Sequence, residues 1–235
     1  MSQVIKSSSK TQKEHRFFER VLDNDLDSLY SYLSSLYQDI KDEKVYSFDN
    51  IFDGRSYRSI RNDSIHPGDS ISSITAENYN VFRFEHPGLR KLAQNVRSMV
   101  IEACDYYGID FDSQNYFIHG WFNLYSNPIS EDFVATNKDS LGWHEHSGDG
   151  VPYFHGYYCV NAEPSETYYK IFDEDVEIKN INNRAILSET GHQHAMGQWN
   201  LPKPRITIAY DIIPIENVPN YDFRRQNDRD YFPLL

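Results

Sequence analysis

Apolar residues recur at helical intervals in the first half of the chain and alternate or run together in short bursts in the second. Leu22, Leu26, Leu29, Leu33 and Leu36 follow one another in steps of four and three, which places them on one face of a helix. The pattern lasts barely two heptads, so it predicts packing against a sheet rather than a zipper for a partner helix. A second helix is predicted from Pro87, a residue suited to the first helical position, through Leu89, Leu92, Val96, Val100 and Ala103 to about Gly108. After it come YFIHGWFNLY, YFHGYYCV, TYYKIF, VEIKNI, RAILSE and PRITIAYDII, separated by Asn, Pro, Gly and Asp turns. These segments predict strands of a mainly antiparallel sheet. Several short strands over roughly 100 residues imply a sandwich or barrel of the jelly-roll type.

The expected fold class is therefore mainly β with flanking N-terminal helices. A chain of 235 residues suits one domain with a sizeable core. Residues 1 to about 15 are rich in Ser and Lys and lack an apolar period, which predicts a mobile arm. The rest, 16–235, reads as a single domain: helical support over about 16–112, a sheet core over about 113–215 and a tail over 216–235. The stretch 46–80 is rich in Ser, Asp, Asn and Gly and reads as loop with short strands. Its Arg55, Arg58 and Arg61 could grip an anion, but a solvated charged face is the commoner use of such a run.

Composition narrows the function. The 18 Tyr, 14 Phe and 3 Trp concentrate beside β-branched residues in the second half, which favours sheet there. The net charge is −12 and the basic residues are scattered, so strong nucleic-acid binding is not expected. Cys104 and Cys159 sit in apolar or aromatic company, as reduced buried thiols do. No apolar run approaches the ~20 residues that cross a bilayer, and the N-terminus carries no hydrophobic signal region. A cytoplasmic protein without a membrane contact is the expectation.

The chemistry concentrates in two segments. In LGWHEHSGDG, His144 and His146 are two apart, and alternate side chains of an extended segment share a face. Both imidazoles can then reach one point while Glu145 faces away. In GHQHAMGQW, either His194 or His192 could close a facial set of three metal ligands from another strand. Arg205 opens the otherwise apolar strand PRITIAYDII, and an arginine turned into a barrel requires an anionic partner, which a bound dicarboxylate would supply.

The order and spacing of these residues over about 115–215 resemble the iron(II)/2-oxoglutarate dioxygenase superfamily. That superfamily carries an H-x-D/E…H ligand set and an R-x-S/T clamp on a double-stranded β-helix, a cupin-like jelly roll. The nearer likeness is to a bacterial and phage branch reading W-x-N-x-Y, then H-x-H, then an S-G-x-Y-Y-type strand. Here those stretches are Trp121, Asn123 and Tyr125, then His144 and His146, then HGYYCV from His155. The resemblance implies His144 as first iron ligand, His194 as distal ligand, and Arg205, eleven residues after His194, with Thr207 as the clamp on 2-oxoglutarate. His192 ranks behind His194 because its step to Arg205 is thirteen. His146 stands where most of the superfamily has Asp or Glu. It is preferred as third ligand over Glu145, which would need a bulge, and Asp149, which would reach back from the following turn.

Further implications follow from the resemblance. Fe(II), 2-oxoglutarate and O2 are the expected cofactor and cosubstrates, and hydroxylation with release of succinate and carbon dioxide is the expected reaction. Asn123 and Tyr125 share a strand face from which they could hydrogen-bond the cosubstrate, although Trp121, Tyr125 and Tyr158 also suit a core. His155 could hydrogen-bond around the metal. The substrate, a small molecule or a protein side chain, is expected to be chosen by the loops of 46–80 and 126–140. Two alternatives stand beside this reading: a three-histidine cupin-like metal enzyme without 2-oxoglutarate, and a non-catalytic jelly-roll binding protein.

Overall fold

The computed structural model describes residues 4–6, 14–41, 46–47, 56–57, 71–73, 80–112, 115–125, 143–146, 153–172, 174–217 and 232–234. The chain begins with β1 (Val4–Lys6) paired antiparallel to β2 (Glu14–Arg16), followed by β3 (Phe18–Val21) and helix α1 (Leu26–Lys41). Short strands β4 (Tyr46–Ser47), β5 (Ser56–Tyr57) and β6 (Ile71–Ser72) precede helix α2 (Pro87–Tyr107). The second half supplies β7 (Tyr116–Tyr125), β8 (Phe154–Asn161), β9 (Glu166–Ile171), β10 (Glu174–Lys179), β11 (Arg184–Glu189), β12 (His194–Met196) and β13 (Arg205–Pro214), with β14 (Phe232–Pro233) near the end.

Both helices start where local chemistry directs, and α2 also ends where it does. The Asp25 carboxylate accepts the Ser28 amide at 3.1 Å, so α1 begins after Leu22, which is buried in the extended segment behind β3 rather than on the helix. Helix α2 is capped by His86, whose Nδ1 accepts the Gly88 amide at 3.1 Å, and Pro87 takes the first position. It ends at Gly108 with φ of 69°, a left-handed conformation that glycine adopts without strain.

The large sheet runs β14-β7-β13-β8-β11-β3, with β6 also pairing to β7, and its pairings are antiparallel. Period-two alternation along β13 divides its side chains. Ile206, Ile208, Tyr210 and Ile212 join the core formed with Leu29, Leu33 and Leu36 of α1 and Leu92, Val96 and Val100 of α2. The opposite side chains, Arg205, Thr207, Ala209 and Asp211, share the inner face with Trp121 and Asn123 of β7 and His155, Tyr157 and Cys159 of β8. A small sheet, β10-β9-β12, is joined to that face through a second core of Tyr157, Cys159 and Ile186 with Tyr169, Ile171, Val176 and Ile178. The architecture is a jelly roll flanked by two helices.

Of the first fifteen residues, expected to form a mobile arm, the structure describes 4–6 and 14–15. Val4–Lys6 and Glu14–Arg16 pair, and His15 is fully buried, because the hairpin lies against β11, where His15 Nε2 meets Ser188 Oγ at 3.0 Å. A polar sequence can still place one side chain in a core when a neighbouring strand offers it a hydrogen bond. The C-terminal stretch likewise includes a strand, β14, against β7, with Leu234 buried beside it. Arg55, Arg58, Arg61 and the 126–140 loop lie outside the described residues, apart from the β5 strand that follows Arg55. Among the described residues, no helix is long and apolar enough to cross a membrane.

Candidate metal centre

Two main-chain hydrogen bonds set the site. His144 N donates to His194 O at 3.1 Å and His194 N donates to His144 O at 2.8 Å, so the two residues form an isolated antiparallel bridge at the edge of the small sheet. His146 follows two residues later on the same side, as the alternation requires. One ring nitrogen of each of His144, His146 and His194 lies within 4.8 Å of the others. Glu145 is exposed and does not join them. Asp149 lies outside the described residues. His192, the second choice for the distal position, turns away toward His15 and Glu189.

Buried groups surround this cluster. His146 Nδ1 lies 2.7 Å from Asp211 Oδ1, which leaves Nε2 as its free donor atom. Burial pulls the His146 pKa down, but the charge and hydrogen bond of Asp211 outweigh it and the net shift is upward. The Trp121 ring stacks on His146 with centroids 5.5 Å apart, and Tyr169, register partner of His194, stacks on that ring at 5.5 Å. His194 is held well below the ordinary imidazole range by burial and then by its histidine neighbours, so it is neutral, the form that ligates a metal. Its Nδ1 is buried with no hydrogen-bond partner. An orphaned nitrogen on a neutral ring, within a cluster of three imidazoles, fits a bound cation. His155 stacks on His194 at 4.8 Å and is likewise held neutral by burial.

The cationic end of the inner face lies three alternate positions back along β13 from Asp211. Arg205 is 3% exposed and, among the described residues, its hydrogen bonds go to neutral oxygens, with Nε 3.4 Å from Ser165 Oγ and one terminal nitrogen 3.4 Å from Thr207 Oγ1. Among the described residues no carboxylate pairs with it. Burial lowers its pKa, and Cys159, Tyr125 and Tyr157 are the groups that work in the opposite sense. Thr207 lies opposite Asn123 on β7 and Cys159 on β8. The structure thus brings together the three histidines, and on the same face Arg205, Thr207 and Asn123. Asp211 was missed at the sequence level, although its even spacing from Arg205 in an apolar strand was the available signal.

No protein-family profile matches the sequence. No curated protein matches it either. Solved structures do resemble its fold. A full-length protein of Neurospora crassa, solved in complex with alpha-KG, is 15% identical, with a TM-score of 0.50 over 84% of this chain and 75% of that one. A Pseudomonas putida prolyl-4-hydroxylase is 6% identical, with a TM-score of 0.47 over 85% of this chain and 93% of that one. The alpha-ketoglutarate-dependent epimerase SnoN from nogalamycin biosynthesis is 9% identical, with a TM-score of 0.45 over 84% and 77%. At such identities a likeness speaks of architecture, and the Neurospora crassa match carries it. The chain has the jelly-roll fold on which that alpha-KG-binding protein is built.

Proposed function

We propose that the chain is an iron(II)- and 2-oxoglutarate-dependent oxygenase that hydroxylates a small molecule or a protein side chain. The observation that carries this reading is Arg205, a buried guanidinium with no carboxylate partner among the described residues, on the inner face that also bears Asp211 beside the histidine cluster. A buried, unpaired charge is costly, and a dicarboxylate bound to it removes the cost. In this reading His144, His146 and His194 hold the metal, and Arg205 grips the distal carboxylate with Thr207 beside it. Asn123, across from Thr207, presents its amide to the same ligand.

Bound iron(II) with 2-oxoglutarate and O2 supplies oxidative decarboxylation to succinate and carbon dioxide, coupled to oxidation of a C–H bond. The protein's own residues position and shield. Trp121 and Tyr169 wall the histidines with apolar rings, which limits water. Asp211 supports the replacement of the usual carboxylate ligand by His146: it places a negative charge one hydrogen bond behind that ring, strengthens its donor nitrogen and fixes its orientation. The two free, buried thiols favour a cytoplasmic setting.

Anaerobic addition of iron(II) and then 2-oxoglutarate tests the reading. The expected result is a weak visible charge-transfer band, followed by succinate on admitting air. Absence of both overturns it. Iron uptake without the band would favour the three-histidine enzyme that dispenses with 2-oxoglutarate.

A further inference from the structure

Beside Ser188, the register partner of His155 on β11, a second set of donors converges. His15 on β2, Glu189 at the end of β11 and His192 ahead of β12 each offer one ligand atom, and these atoms lie within 4.8 Å of one another. We infer that His15, Glu189 and His192 form a second site, for a divalent transition-metal ion such as zinc.

The strongest sign is the state of His15. It is fully buried, and its Nε2 meets Ser188 Oγ at 3.0 Å, a contact that orients the ring. Its other nitrogen, Nδ1, is buried without a hydrogen-bond partner and lies 3.8 Å from Glu189 Oε2, too far for a hydrogen bond. A metal ion bound between them would give that nitrogen its partner. Burial, and then His192, pushes the His15 pKa down to about 3, so the ring is the neutral, ligating form.

The other two donors are similarly arranged. The His192 ring meets His15 at 87° with centroids 4.5 Å apart, and one of its nitrogens is engaged by the Lys170 main chain. That leaves the second nitrogen available to a metal ion. Glu189 also interacts with the Tyr107 hydroxyl, yet its side chain is 44% exposed, which gives an ion a way in from solvent. Two imidazoles and one carboxylate suit zinc, iron, nickel or copper and disfavour calcium or magnesium, which prefer oxygen alone. The set shares no ligand with His144, His146 and His194.

The competing explanation is a core histidine, packed edge-on against Phe17 at 4.8 Å, with no metal. Equilibrium dialysis of the full chain against zinc, read by elemental analysis, separates the two. Because His15→Ala could unfold the hairpin, the variants are His192→Ala and Glu189→Gln, with the double variant His144→Ala/His194→Ala for the main centre. The expected result is that each of the first two loses one zinc per chain relative to wild type, while the double variant keeps that ion. Unchanged uptake in both His192→Ala and Glu189→Gln overturns the inference. So does uptake by wild type that disappears wholly in the double variant. If wild type binds one ion that survives the double variant and is lost in His192→Ala, the second site stands and the main centre falls.

Discussion

The Asp211 carboxylate lies 2.7 Å from His146 Nδ1, and through that hydrogen bond a residue on β13 governs a ring delivered by the segment before β8. Its burial, at 2% exposure, makes the bond strong and its loss costly. Asp211→Asn keeps the shape and removes the charge. Iron(II) affinity is expected to fall by about 10–100-fold, the usual effect of removing a carboxylate behind a ligating histidine. Anaerobic titration of the two proteins checks it. Equal affinities would show that Asp211 only packs.

Arg205 should be a stability burden until its ligand arrives. Arg205→Leu removes a buried charge whose hydrogen bonds among the described residues, at 3.4 Å, go to neutral oxygens. The apo variant is expected to be as stable as wild type or more stable by up to about 2 kcal/mol. The rise in melting temperature that 2-oxoglutarate gives wild type with iron should vanish. A large destabilisation of the apo variant would mean that Arg205 serves the fold rather than a ligand.

Gly156 makes room for the central strands to close on one another. A Cβ there would collide with the Ile186 carbonyl oxygen and sit 2.6 Å from the Tyr210 ring, whose hydroxyl donates to that same oxygen at 2.7 Å. Neither a main-chain oxygen nor a fully buried ring can yield at small cost. Gly156→Ala is expected to destabilise by about 3 kcal/mol or more. Urea denaturation measures this, and a loss under about 1 kcal/mol would contradict the packing described.

His86 ties part of the stability to pH. Burial lowers its pKa below the ordinary imidazole value, against the smaller effect of Asp25, and its neutral Nδ1 is the cap acceptor for α2. The unfolded chain therefore takes up this proton more readily than the folded one. The contribution is present above the unfolded pKa of about 6.5 and is lost as pH falls through it toward the lower folded value. His86→Ala should cost about 1 kcal/mol at neutral pH. His86→Asn, whose acceptor does not titrate, should lose less stability than wild type between about pH 7.5 and 5.5 in paired denaturation curves. Parallel losses in the two proteins would remove His86 from the acid sensitivity.

What could be read in the sequence was whatever depends on near neighbours along the chain. The stepped leucines from Leu26 to Leu36, the proline and glycine at the ends of α2 and the alternation along PRITIAYDII act over one or two turns or residues, and all appear as written. The same period of two placed Arg205 and Thr207 on one face, and His144 beside His146. Leu22 departed from its pattern because the carboxylate of Asp25 captures the Ser28 amide and starts the helix later.

The step of eleven residues to Arg205 ranked His194 ahead of His192 in the sequence, and only the tertiary structure set His194 against His144 through paired main-chain hydrogen bonds. It alone joined His146 to Asp211, and His15 to Glu189 and His192, across separations far longer than any local period spans. Such contacts arise when antiparallel register and the stacking of two sheets bring distant strands to one face. A polar N-terminal stretch carries no sign that its histidine will be buried against β11. The hydrogen bond that holds it there belongs to the partner strand, 173 residues away.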